Sequence, residues 1–164
     1  MNASSAPFAT HRFSPPQLVI AGGLLAGALD LLYAFVFWGF KGVPPVRILH
    51  AIASGWVGKP AALAGGNATA ALGAVSHFLI TVAMAFAYYL VARQVPALTR
   101  KPWLLGSAYG VFLYFFMQWV VLPLSAAGPG GPTPPLVMWT GLAAHAFLVG
   151  VPIALFVRAA LRVR

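Results

Sequence analysis

The only acidic side chain in this 164-residue chain is Asp30, and it falls inside an apolar run, QLVIAGGLLAGALDLLYAFVFWGF, at residues 17–40. A hydrocarbon core about 30 Å thick is crossed by roughly 20 helical residues, so this run is long enough to span. A charge near the centre of such a helix costs on the order of 3 kcal/mol on insertion scales, so an acid there calls for a partner or a use. His77, His145, Gln118 and Tyr114 also fall inside apolar runs. At 1.5 Å of rise per residue, Asp30 stands roughly 21 Å past Pro16, His77 roughly 24 Å before Arg93, and His145 roughly 20 Å before Arg158. Gln118 stands roughly 22 Å past Trp103 on the same measure, and Tyr33 and Tyr114 fall within about a turn of that depth. If the basic ends of the runs share one side of a membrane, these polar groups form a single layer.

Three kinds of chemistry suit such a layer. Asp30 paired with His77 or His145 by a hydrogen bond can simply fix helix packing, and such bonds average below about 1 kcal/mol in membranes. A proton- or ion-coupled site is the second, because low-dielectric surroundings disfavour the charged forms of both carboxyl and imidazole and so favour proton exchange between them. The third is redox or metal chemistry. His77 and His145 on separate helices have the right types for axial ligands to haem b, or with Asp30 for a His₂–carboxylate metal ion site. The leading expectation carries no cofactor; haem b or a metal ion is the alternative.

The elements that must position these residues follow from composition. Hydrophobic residues make up 61% of the chain and charged residues only 7%, far short of the quarter or so that a water-facing surface uses. The surface must therefore face lipid. The net charge of +9 comes from Lys and Arg placed between the apolar runs. They read as topology signals and headgroup anchors, not as a nucleic-acid patch. The absence of Cys excludes disulfides, thiolate-bound iron–sulfur clusters and covalently attached haem. No P-loop, GxSxG, HExxH or Rossmann fingerprint is present, and one acid cannot form a carboxylate dyad, which argues against an enzyme.

The fold class expected is all-α: an integral membrane four-helix transmembrane bundle with one short interfacial amphipathic helix. Spans are expected at about 17–40, 68–92, 103–122 and 136–157, making one membrane domain over 17–158. A flexible tail at 1–16 and a basic end at 159–164 flank it. Residues 45–58 are too short to span, and Arg47, His50 and Ser54 share one helical face there, which suits a helix lying in the interface. Residues 60–66, PAALAGG, read as a linker. Four spans place both termini on one side with Arg12, Arg93, Arg100, Lys101, Arg158, Arg162 and Arg164, against Lys41, Arg47 and Lys59 on the other. The positive-inside rule makes the first side cytoplasmic. Trp38, Trp56, Trp103, Trp119 and Trp139 fall near span ends, as an aromatic belt would.

Small residues mark the expected contact seams. Gly23 and Gly27 open the first span and Gly106 and Gly110 the third, while Gly73 precedes His77 and Gly141 precedes His145 by four residues. Glycines four apart permit close helix approach. The matched pattern hints at two similar helical hairpins, and homo-oligomerisation through the Gly23/Gly27 or Gly106/Gly110 seam is expected if the protein transports.

A lone acid in the first of four helices is similar in plan to the small multidrug-resistance transporters, which are shorter and use Glu. Trp38-Gly39, Leu122-Pro123-Leu124, Thr133-Pro134-Pro135 and Gly141…His145 resemble motifs of the YagU-like bacterial inner-membrane proteins. That resemblance implies a multi-pass protein of the bacterial inner membrane and transfers no active site. The functional expectation is a small transporter or ion-permeation unit using the Asp30/His77/His145 layer, or an accessory subunit of a membrane complex. Its partners would be the lipid bilayer, a second copy or another membrane protein.

Overall fold

The structure, a computed structural model, describes residues 13–163. Among them all regular structure is helical: α1 (Pro15–Gly39), α2 (Pro45–Val57), α3 (Lys59–Ala64), α4 (Gly66–Gln94), α5 (Pro102–Leu124) and α6 (Pro135–Arg162). A short 3₁₀ turn, Pro96–Thr99, joins α4 to α5. Helices α1, α4, α5 and α6 are each long and apolar enough to cross a membrane. The protein is a multi-pass membrane protein built as a four-helix bundle. The expected tail at 1–16 lies mostly outside the described residues.

Prolines start the helices. Pro15, Pro45, Pro102 and Pro135 each occupy a first-turn position, where a missing N–H leaves nothing unsatisfied. Ser14 N–H donates to Gln17 Oε1 at 2.8 Å, holding the first turn of α1. Prolines inside α5 and α6 act differently. Each helix widens into a π turn, at Met117–Val121 and at His145–Gly150, and each π turn is followed two residues on by Pro123 or Pro152. A proline ring crowds the carbonyl four residues back and offers no N–H, so the ladder must re-form around it.

Glycines set the crossings. A Cβ on Gly23 would meet Val82 Cα at 2.6 Å, and one on Gly27 would meet Thr81 Oγ1 at 2.6 Å, so α1 and α4 touch backbone to backbone. Gly106 and Gly110 do the same for α5 against α6, where Gly110 faces the His145 carbonyl and Gly106 faces Gly150. Both seams expected for oligomerisation are thus filled within one chain. Gly73 lies against Leu49 of α2, and Gly141 against the Tyr114 ring.

The packed core occupies one half of the bundle. Val19, Ala85, Tyr88, Val149, Ile153 and Val157 cluster toward the end where α4 and α6 finish. The Tyr88 hydroxyl donates to the Leu98 carbonyl at 3.0 Å and the Tyr109 hydroxyl to the Met84 carbonyl at 2.9 Å, closing that half. In the other half α2 leans against α4.

Two details of this α2 half differ from the sequence reading. The linker at 60–66 is largely the helix α3, whose Ala62 carbonyl accepts from Thr69 Oγ1 at 2.6 Å. The expected polar face is divided: His50 and Ser54 are buried together with Ala53, while Arg47, Val46 and Trp56 are exposed. His50 Nε2 donates to the Gly66 carbonyl at 2.9 Å and Ser54 Oγ to the Ala51 carbonyl at 2.6 Å. Helix α2 thus hides His50 and Ser54 within the protein and leaves Arg47 outside.

Candidate functional site

Asp30 sits one turn past Gly27, and the close crossing at Gly27 brings α4 near enough to set His77 beside both. His77 Nε2 lies 2.9 Å from the Gly27 carbonyl and 4.0 Å from Asp30 Oδ2. A carbonyl only accepts, so this nitrogen carries the proton. His145 opens the π turn of α6; its Nδ1 lies 3.1 Å from the Gly141 carbonyl and 3.7 Å from Asp30 Oδ1. By the same reasoning that nitrogen is protonated. Each carboxylate oxygen therefore lies near one imidazole nitrogen whose N–H is given to a backbone carbonyl, at a distance longer than a hydrogen bond.

The three side chains are partly exposed, at 18% for Asp30, 12% for His77 and 23% for His145, because they line a cavity. Its volume is about 730 Å³. Apart from this trio the wall is mainly apolar: Ile80 and Met84 from α4, Met117 and Val121 from α5, Val149 from α6, and Ile48, Ile52 and Trp56 from α2. The buried Thr81 hydroxyl also faces it, donating to the Phe78 carbonyl at 3.1 Å. Natural small-molecule sites are of this size, mostly apolar with a few convergent polar groups.

The other members of the expected layer take supporting places. The Tyr114 ring stands edge-on to His145, with centroids 5.4 Å apart, and backs it from behind. Gln118 lies beside the Tyr114 phenol, outside the cavity wall. Gly23, Gly27, Gly106, Gly110 and Gly141 act as the close contacts that bring the helices of the trio together, while Gly73 seats α2.

What the sequence reading missed is the α2 wall and the two methionines. The usable signals were Pro152 inside the fourth span and Pro123 just past the expected end of the third, which announce the irregular turns that carry His145 and Met117, and the apolar residues 48, 52 and 56 at helical spacing.

No family model matches this chain, and neither does any curated protein or solved structure. The motif-level resemblance therefore adds nothing to the site, and geometry carries the reading.

Chemically, the trio is a charge switch. With both imidazoles neutral and the carboxyl ionised, the cavity holds one negative charge in apolar surroundings. One added proton cancels it. Asp30, His77 and His145 are also the residues that a metal ion would use. Among the described residues, however, no group of three ligating side chains is close enough to hold one, and the two nitrogens nearest Asp30 already face backbone carbonyls.

Proposed function

We propose that this protein is a small carrier of the bacterial inner membrane that exchanges protons for an apolar organic cation. The observation that carries this reading is the placement of the chain's only acid, Asp30, on the wall of a largely apolar cavity of about 730 Å³. An uncompensated carboxylate in such surroundings is costly, and a bound cation or a proton each removes that cost. The apolar wall then selects for a cation with a hydrophobic body, and Met84 and Met117 supply adaptable surface. His77 and His145 flank the carboxylate at 4.0 and 3.7 Å.

Alternating access needs a part that moves. Helix α2 supplies one wall and lies between two glycines in the left-handed region, Gly42 at φ 77° and Gly58 at φ 78°. Its far end is held to the loop after α5 by the bond from Ala126 N–H to the Gly55 carbonyl, 2.9 Å. Release of that contact opens the cavity on the side away from the packed core. The excess of Lys and Arg at the core end supports, by the positive-inside rule, a reading with both termini in the cytoplasm and the cavity facing outward.

Proteoliposomes containing the purified protein test this with tetraphenylphosphonium as the probe. An imposed proton gradient is expected to drive its movement, and Asp30→Asn to abolish that movement while the protein still purifies as a folded species. Transport unchanged in Asp30→Asn would overturn the assignment. A Soret band lost in His77→Ala or His145→Ala would replace it with a redox role.

A further inference from the structure

A second concavity, of about 540 Å³, lies at the opposite end of the bundle. Arg93 from the last turn of α4, Arg100 after the 3₁₀ turn, and Arg158 and Arg162 from the end of α6 all line it, with Thr99 and Leu161 between them. Arg158 and Arg162 are four apart and so share one helical face. The Arg93 guanidinium stands 5.8 Å from the Tyr89 ring centroid, which orients it.

Four guanidiniums brought into one hollow repel one another, and the chain has no acid to spare for them. Asp30 is its sole acidic side chain, and it belongs to the central cavity. From His77, beside Asp30, to Arg93 is a rise of roughly 24 Å along α4. The C-terminal ends of α4 and α6 supply about half a negative charge each, well short of four positive ones. A counter-charge from outside the chain would relieve that repulsion. Guanidinium forks match phosphate oxygens two at a time, and a hollow lined by arginines at a span end meets the headgroup layer. Leu161 adds an apolar wall suited to the first carbons of an acyl chain or glycerol.

We propose that Arg93, Arg100, Arg158 and Arg162 form a binding site for a phosphate group, supplied by the headgroup of an anionic phospholipid or by free phosphate. The site is separate from the Asp30 cavity and stands whether or not that cavity transports.

The test is calorimetric titration of the full chain in neutral detergent with short-chain phosphatidylglycerol, short-chain phosphatidylcholine and inorganic phosphate. Saturable binding of phosphatidylglycerol at one site, weakened at least tenfold in R158Q/R162Q and less strongly in R100Q, is the expected result. Phosphatidylcholine should bind much more weakly. Inorganic phosphate binding as tightly as the lipid, with the same loss in both variants, assigns the site to a soluble ligand and keeps the phosphate chemistry. K41Q/R47Q removes the same charge at the other end and should leave binding unchanged. R100Q lies outside the helices and keeps the test decisive if the double variant does not fold. No saturable binding of either anion, or equal weakening by K41Q/R47Q, overturns the proposal.

Discussion

His77 of α4 donates through Nε2 to the carbonyl of Gly27 on α1 at 2.9 Å, and this bond fixes how the first two spans present Asp30. It forms only because Gly27 has no side chain: a Cβ there would meet Thr81 Oγ1 at 2.6 Å and the Phe78 ring at 3.0 Å. In the second hairpin the glycine contact is made by backbone alone, with Gly110 pressed against the His145 carbonyl, while the His145 ring bonds within its own helix to the Gly141 carbonyl.

Gly27→Ala is therefore expected to push α1 from α4 and destabilise the protein by about 1–3 kcal/mol, the usual cost of overpacking. Gly39→Ala is the control, since nothing lies within 4 Å of its added Cβ. Denaturant unfolding in detergent should separate the two variants. Equal stability would mean that the crossing tolerates a methyl group and that Gly27 does not set it.

Helix α2 is expected to govern entry to the cavity. A Cβ built on Gly55 lies 3.8 Å from Ser125 Cβ, which matches the spacing of a disulfide. The chain has no cysteine of its own, so Gly55→Cys with Ser125→Cys should crosslink cleanly on oxidation. The crosslinked protein should release tetraphenylphosphonium much more slowly and recover on reduction. Release at an unchanged rate would show that α2 is a fixed wall.

Pro152 is expected to act on His145 from a distance. An alanine there restores an N–H that can donate to the Leu148 carbonyl and lets the π turn relax toward an α-helix, turning His145 away from Asp30. Pro152→Ala should hold or raise stability while lowering affinity for tetraphenylphosphonium several-fold. Unchanged affinity would show that the π turn does not position the imidazole.

Much of this arrangement was legible in the sequence, and the reasons are physical. Hydropathy and length set the four spans, because lipid permits little else at that depth. Helical rise placed Asp30, His77 and His145 at one level, since a straight helix converts sequence separation into depth. Rise says nothing about azimuth, which is why Gln118 and Tyr114 looked equivalent to the trio yet stand behind it. Helix α2 was legible as amphipathic, but not that His50 and Ser54 are buried while Arg47 stays exposed. A periodic pattern shows that a helix has two faces, but not which one meets protein. The Gly23/Gly27 and Gly106/Gly110 seams were legible as contacts but not as contacts within one chain.

The most direct test of the central claim is proton release during binding of tetraphenylphosphonium to the purified protein in weakly buffered detergent solution. If Asp30 trades a proton for the cation, binding should release protons over some part of the pH range scanned, and Asp30→Asn should abolish both binding and release. Tight binding with no proton release at any pH, or release that persists in Asp30→Asn, would contradict it.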